Sequence, residues 1–84
     1  MLEFNLIDST YSQEESFELL YELLDAKITL LGKKIHSNIE RGIESEHYES
    51  RRKNLLEMRD RLKDLLSDLK EDELFVNCKL TVQG

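Results

Sequence analysis

The sequence has no proline and no tryptophan, and its 84 residues include only three glycines and one cysteine. Because proline breaks helices and glycine weakens them, this shortage favours long uninterrupted helices over loops. The lone cysteine, Cys78, excludes an intramolecular disulfide and a cage of thiolates around a metal within one chain. A free thiol fits a reducing compartment, so we expect a cytoplasmic protein.

Long apolar runs are also missing. No stretch reaches the roughly 20 apolar residues of a membrane-spanning helix, and residues 1–8 lack the basic and apolar regions of a signal peptide. We therefore expect no membrane contact. Positive charge is in the minority, and the net charge of −6 argues against an indiscriminate nucleic-acid binder.

The length fits one domain, residues 1–84. A domain of this size buries only about 60–65% of the surface that its unfolded chain exposes, so its stability is marginal. A disulfide cannot compensate, because there is only one cysteine. We therefore expect a partner to complete the core.

The first residues alternate between apolar and polar side chains, which predicts a half-buried strand over residues 2–7. Asp8, Ser9 and Thr10 then indicate a turn. Ser12 followed three residues later by Glu15 is a capping box, in which each residue accepts a hydrogen bond from the other's backbone N–H. The first helix should therefore begin at residue 13.

Two apolar stripes at heptad spacing predict helices over residues 13–41 and 46–71. The stripe of the first helix consists of Phe17, Tyr21, Leu24, Ile28, Leu31 and Ile35. The stripe of the second helix consists of Leu55, Met58, Leu62, Leu65 and Leu69. Continued past Gly42, the first stripe runs through Ser45, Arg52 and Arg59, one position out of phase with the second.

This phase difference predicts a chain reversal at residues 42–45, since one straight helix would carry its stripe off any common partner. Gly42 suits the residue just after a helix, where a left-handed conformation is common. Ser45 suits the N-cap of the next helix. The two helices should therefore form an antiparallel hairpin.

Strict alternation returns over residues 74–82, which predicts a second strand with Leu74, Val76, Cys78, Leu80 and Val82 on one face. Because the helices are antiparallel, both strands meet at one end and can pair. The expected fold class is mostly α: a coiled-coil-like two-helix hairpin flanked by short terminal β-strands, in the order β-α-α-β.

Leucines on the first helix extend to both sides of its stripe, wider than one facing helix can bury. We expect a homodimer in which two hairpins form a four-helix bundle. The alternative is a monomer whose strands fold over the extra leucines. The candidate interface residues are Phe17, Leu19, Leu20, Leu23, Leu24, Leu30, Leu31, Leu55, Leu62 and Leu66.

Charge is segregated along the long axis of the predicted hairpin. A basic tip at the turn contains Lys33, Lys34, Arg41, Arg51, Arg52 and Lys53. Acidic ridges follow each helix toward the strand end, with Glu14, Glu18, Glu22 and Asp25 on the first and Glu57, Asp60, Asp64, Asp68 and Glu71 on the second. A solvated outer face explains the ridges, and pairing along the helix surface explains the tip.

Motifs for catalysis are absent: there is no glycine-rich phosphate loop, no nucleophile elbow and no Cys–His pair on one element. We therefore expect no enzyme and no cofactor. His36, Glu40, Glu44 and His47 suggest a metal site in a bundle, but surface histidines at a polar tip are the simpler interpretation. Asn38 in the first stripe is a candidate for fixing register or oligomeric state.

The leading functional hypothesis is a non-enzymatic, homo-oligomeric protein–protein interaction module. The alternative is a small regulator that contacts nucleic acid through the basic tip, or mimics nucleic acid with its acidic ridges. The two hypotheses differ in the surface that contacts the partner: apolar side chains in the first and charged side chains in the second.

Overall fold

The computed structural model describes residues 1–84 and contains two strands and two helices. Strand β1 spans Leu2–Ser12, helix α1 spans Gln13–Glu40, helix α2 spans Glu46–Ser67 and strand β2 spans Glu73–Val82. The helices pack as a hairpin, and the strands pair antiparallel in a two-stranded sheet. The predicted order β-α-α-β is confirmed, whereas the single chain does not test the predicted dimer.

Helix α1 begins where the capping box places it. The hydroxyl of Ser12 accepts from the backbone N–H of Glu15 at 3.1 Å, and the carboxylate of Glu15 accepts from the backbone N–H of Ser12 at 3.0 Å. Two backbone donors that the first turn cannot satisfy are thereby paired. The strand runs into the helix at this residue without a loop.

The reversal between the helices is a Schellman motif. The N–H of Ile43 donates to the carbonyl of Asn38 at 2.8 Å, and the N–H of Gly42 donates to the carbonyl of Ile39 at 3.1 Å. Gly42 has a φ of +69°, a left-handed conformation that glycine adopts without steric cost. The hairpin turn at Gly42 is therefore confirmed.

The start of α2 differs in one detail. Ser45 stands at the N-cap, but its hydroxyl makes no capping bond to the backbone. Instead it donates to the carboxylate of Glu49 at 3.3 Å, while the carboxylate of Glu44 accepts from the N–H of Glu46 at 3.2 Å. The predicted capping role of Ser45 was wrong, and Glu44 satisfies one of the free donors in its place.

Helix α2 ends at Ser67, four residues before the predicted end at residue 71. Lys70 has a φ of +57°, which a helix cannot contain. The acidic residues from Asp68 to Asp72 disfavour further helix, because its C-terminus repels negative charge. Glu71 and Asp72 therefore lie in the connection to β2, while Asp68 is the C-cap of the helix.

Strand β1 is longer than predicted and carries a β-bulge. Cross-strand pairs run from Leu2 with Val82 to Ser12 with Glu73, with a register shift at Leu6, between Asn5 and Ile7. The extra residue breaks the alternation after Leu6 and moves Ile7 onto the face that Phe4 shares. The predicted turn at residues 8–10 was wrong, because this segment continues the strand in a new phase.

The core is small and lies at the strand end of the hairpin. Leu62 and Leu66 of α2 cluster with Leu74 of β2, and side chains of α1 pack against them: Phe17, Leu20, Tyr21 and Leu24. Met58, Leu65 and Leu69 of the predicted α2 stripe are exposed. The predicted seam of α2 was therefore wrong for these residues, and the face toward α1 runs through Ser45, Arg52, Arg59 and Leu66.

The ribbon of β1 and β2 projects sideways from the hairpin. Set end to end, a helix of about 42 Å and a ribbon of about 33 Å would far exceed the longest dimension of the chain, 48 Å. The other two dimensions are 32 and 15 Å, and the radius of gyration is 15.5 Å, against about 12 Å for a compact domain of this length. Neither helix is long and apolar enough to cross a membrane.

Replacing Gly42 by alanine should lower the free energy of unfolding by about 1 kcal/mol, because a Cβ disfavours the left-handed conformation. No atom lies within 4 Å of the added Cβ, so the loss reports the backbone alone. Urea denaturation followed by circular dichroism measures it. The control Gly42→Asn should lose less despite its larger side chain, because asparagine tolerates this conformation. Equal losses in both variants would contradict the assignment.

The capping box should be visible in the titration of Glu15. The backbone N–H and then the side chain of Ser12 hydrogen-bond the carboxylate and lower the pKa of Glu15 from its ordinary value. NMR titration should give a midpoint below the one measured for the same residue in urea. Because the folded-state pKa is the lower one, the stabilisation is present above the unfolded-state pKa and is lost as pH falls through the folded value. A midpoint unchanged by urea would exclude the carboxylate hydrogen bond.

Candidate interaction surface

Arginine side chains occupy part of the contact between α1 and α2. The Nε of Arg52 donates to the carbonyl of Ile28 at 3.3 Å. Gly32 makes room for this guanidinium, since a Cβ at that position would lie 3.3 Å from the same Nε. A charged group therefore fills a position that a leucine would fill in an apolar seam.

Arg59 makes the second polar contact across the hairpin. Its Nη1 bonds the Oδ1 of Asp25 at 2.7 Å, and its guanidinium lies 5.5 Å from the centre of the Tyr21 ring. Nearer the turn, the ammonium of Lys34 lies 4.5 Å from the ring centre of Tyr48. Such cation–π contacts stabilise by about 0.5–1 kcal/mol at exposed sites. Between Tyr21 and the turn, the hairpin is therefore held by polar and cation–π contacts as well as by Ile28 and Leu31.

Sequence reasoning missed these two arginines, although a signal was present. The α1 stripe, continued at heptad spacing past the turn, passes through Ser45, Arg52 and Arg59, which are the positions that face α1. The prediction instead followed the neighbouring stripe of α2, which is rich in leucine. Charged residues rarely occupy a buried contact between helices, so the residue types were given more weight than the heptad spacing.

Apolar residues outside the contact between the helices form a row on each helix, and most of them are exposed. On α1, Leu19, Leu23 and Leu30 follow at spacings of four and seven, and Leu30 is 67% exposed. On α2, Met58 and Leu65 follow at a spacing of seven and continue to Leu69 beyond the helix end; all three are exposed. Spacings of four and seven residues keep each row on one side of its helix.

The ribbon is apolar on one face, but only part of that face is covered. Leu74, at the helix end, and Ile7, in the middle of the ribbon, are buried, whereas Leu2, Phe4 and Val82, at the free end, are exposed. Phe75, on the opposite face, is exposed as well. The outer half of the ribbon therefore presents apolar side chains to solvent.

The candidate interface residues fall into three groups. Leu31, Leu62 and Leu66 are buried within the chain. Phe17, Leu19, Leu20, Leu24 and Leu55 are half-buried, and Leu23 and Leu30 are exposed. The buried group serves the hairpin itself, so the exposed leucines of α1 are the members free to meet a partner.

The basic tip is only partly a free surface. Lys33, Arg41, Arg51 and Lys53 are exposed. Lys34 is exposed as well, although its ammonium lies over the ring of Tyr48, and Arg52 is half-buried and bonds the carbonyl of Ile28. The acidic ridges lie on exposed faces, apart from Asp25, whose carboxylate pairs with Arg59.

The two histidines have different partners. Nε2 of His36 lies 3.1 Å from the Oε1 of Glu40, both largely exposed, and His47 packs edge-on against the ring of Tyr48 at 5.7 Å. No three His, Cys, Asp or Glu side chains come together as metal ligands. Asn38 is buried at the end of α1, and Cys78 is half-buried on β2 opposite Ile7.

The largest concavity is an open groove of about 480 Å³ where α1 and α2 meet near the ribbon. Its lining includes Phe17 and Leu66 with Glu14, Glu18 and Lys63. Glu14 and Glu18 are both exposed, and Leu66 is the buried residue of the lining. The groove therefore extends the partly apolar surface of the hairpin.

Gln13 joins the two halves of the molecule. Its Nε2 donates to the carbonyls of Leu66 and Glu71, both at 2.8 Å, and its backbone N–H donates to the carbonyl of Asp72 at 3.2 Å. These three carbonyls belong to the last turn of α2 and to the connection that follows it. This contact fixes the start of α1, the end of α2 and the entry to β2 against one another.

Comparison of the chain with protein-family models, with curated proteins and with solved structures gave no match.

Replacing Gln13 by methionine should lower the free energy of unfolding by about 1–2 kcal/mol, because the two hydrogen bonds from its Nε2 are lost while the side-chain volume is kept. The control is Gln83→Met, since the Nε2 of Gln83 reaches only the sulfur of Met1, at 3.8 Å on an exposed site. Urea denaturation of both variants measures the difference. Equal stability of the two variants would mean that Gln13 does not hold the halves together.

Proposed function

We propose that the chain is a non-enzymatic, homo-oligomeric interaction module built on a helical hairpin. The observation that carries the proposal is that the chain exposes more surface than a compact monomer of its mass would. The chain exposes 6644 Å², whereas a compact monomer of its mass would expose about 5,200 Å². The excess of roughly 1,400 Å² exceeds the roughly 800 Å² that one partner buries in a standard interface.

The composition of that surface supports a stable partner. Large apolar residues are exposed on every element, including Leu30 on α1, Met58 on α2 and Phe4 on β1. The rows on the two helices have the heptad spacing that helix–helix contacts use. We therefore propose that two hairpins associate into a four-helix bundle, with Leu23 and Leu30 among the residues at the contact.

The polar groups give catalysis little support. The imidazoles of His36 and His47 are exposed, and the thiol of Cys78 lies on the apolar face of a strand opposite Ile7. A nucleophile needs an activating base within hydrogen-bond reach, and the residue opposite Cys78 is Ile7, which cannot act as one. Its free thiol fits a cytoplasmic setting, where we place the module.

The nucleic-acid alternative has weaker support. Two of the six basic tip residues are engaged within the hairpin, Arg52 with a backbone carbonyl and Lys34 with an aromatic ring. The remaining cations, such as Arg51, share the tip with glutamates, which oppose phosphate binding. No specific contact favours this function over self-association.

Sedimentation equilibrium over micromolar concentrations tests the proposal, and the native chain should sediment as an oligomer. Leu30→Gln should weaken self-association at least about tenfold, because it removes an apolar anchor of roughly 1.4 kcal/mol or more from the contact. The matched control is Ile39→Gln, since Ile39 is 61% exposed on the same helix but lies off the row. It should leave the association constant nearly unchanged.

A native chain that sediments as a monomer at all concentrations would refute the proposal. Equal weakening by both substitutions would refute the assignment of the leucine row as the contact. Circular dichroism of each variant checks that the helices are retained.

A further inference from the structure

The outer edge of β2 is unprotected. The strand runs from Glu73 to Val82 without proline, glycine or bulge, and its only charges are Glu73 and Lys79. Lys79 already pairs with Glu3 across the ribbon. Natural proteins normally block an exposed edge with charges, prolines or bulges, because its free N–H and C=O groups pair with other strands. A long, regular, weakly charged edge is therefore suited to adding a strand.

The outer edge of β1 is different. Its bulge at Leu6 interrupts the regular spacing of the free backbone groups, whereas the number of charged residues is the same on both strands. Bulges twist an edge away from potential partners. Of the two free edges, that of β2 is the better template.

Symmetry restricts how two copies of β2 can pair. Neighbouring antiparallel strands related by a two-fold axis must place one residue directly opposite its own copy. For the strand from Glu73 to Val82, the overlap is longest when that residue is Asn77 or Cys78. Both registers keep the apolar faces of the two ribbons on the same side of the joint sheet, because opposed residues share a face.

The same pairing would cover the free end of each ribbon. In β2, Leu74 beside the helices is 9% exposed and Val82 at the free end is 49% exposed. Antiparallel pairing about Cys78 places Leu74 of one protomer opposite Val82 of its partner, and pairing about Asn77 places it opposite Leu80. The helices of each copy then lie next to the uncovered ribbon end of the other copy.

We infer that two copies of this chain join along the outer edges of their β2 strands, with Asn77 or Cys78 on the two-fold axis, to form a four-stranded antiparallel sheet with all four helices on one face. The inference rests on the proposed self-association and names one of its contact surfaces. A second copy is the occupant because the excess surface of roughly 1,400 Å² fits one stable interface. A two-stranded ribbon is marginal alone, whereas four strands under helices are an ordinary two-layer arrangement.

The single native cysteine provides the test. Residues directly opposite across an antiparallel pair have Cα atoms about 4.5–5.5 Å apart, which is within the range for a disulfide. Two proteins are oxidised under conditions where sedimentation shows association: the native chain, with Cys78, and Asn77→Cys combined with Cys78→Ser. One of them should form disulfide-linked dimers rapidly.

The matched control is Asp8→Cys combined with Cys78→Ser, since Asp8 pairs with Asn77 at the same level of the ribbon but lies on the other strand. In the proposed sheet the two copies of residue 8 are about 14 Å apart, three strand spacings, so they cannot bridge. This variant should cross-link at least about tenfold more slowly than the faster of the other two. Circular dichroism confirms that each variant is folded.

Fast cross-linking at position 77 or 78 with slow cross-linking at position 8 supports the inference. An oligomer that cross-links at neither 77 nor 78, or faster at position 8, overturns the β2 contact and leaves self-association standing. A native chain that sediments as a monomer overturns both.

Discussion

The contact between α1 and α2 is narrow and partly polar, and much of the remaining structure depends on it. Arg52 and Arg59 occupy positions that would hold apolar side chains in an ordinary helical hairpin, and each is satisfied by a group of α1: the carbonyl of Ile28 and the carboxylate of Asp25. An unpaired guanidinium between helices would be costly, so these partners are required. With arginines in the seam, Leu30 and Met58 remain outside it.

This arrangement limits what a single chain can bury. The apolar cluster at the strand end consists of Leu62, Leu66 and Leu74 with partly buried residues of α1 around it. The hairpin and the ribbon are joined there by this cluster and by the hydrogen bonds of Gln13. Each part lacks a core of its own, since a two-stranded ribbon and a pair of helices both expose one apolar side.

The order of elements, the start of α1 and the reversal at Gly42 could be predicted, because each depends on interactions within a few residues. The capping box of Ser12 and Glu15 is such a local signal, and so is a glycine in the left-handed conformation after a helix. The reversal was predicted partly for the wrong reason: the phase difference compared α1 with a row of α2 whose Met58 and Leu65 face solvent. The glycine alone was sufficient evidence for the turn.

The features that could not be predicted depend on contacts between distant residues. Gln13 gave no signal as the donor to Leu66 and Glu71, because those carbonyls are more than fifty positions away in sequence. The bulge at Leu6 depends on the register with β2, and without it the end of β1 looks like a turn. The inward arginines depend on which face of α2 meets Asp25 and Ile28. Local sequence patterns therefore predicted the helices and strands, whereas the packing between them determined which side chains are exposed.

The apolar side chains on both helices and at the free end of the ribbon are exposed for one reason: the packing between elements leaves them uncovered. A chain with an acidic net charge and exposed leucines gains free energy by covering the leucines while its acidic ridges stay in water. Because Leu23 and Leu30 lie on a different side of α1 from Ile28 and Leu31, covering them does not require opening the hairpin. Association would then add to the fold rather than replace it, and the stability of the chain would depend on its concentration.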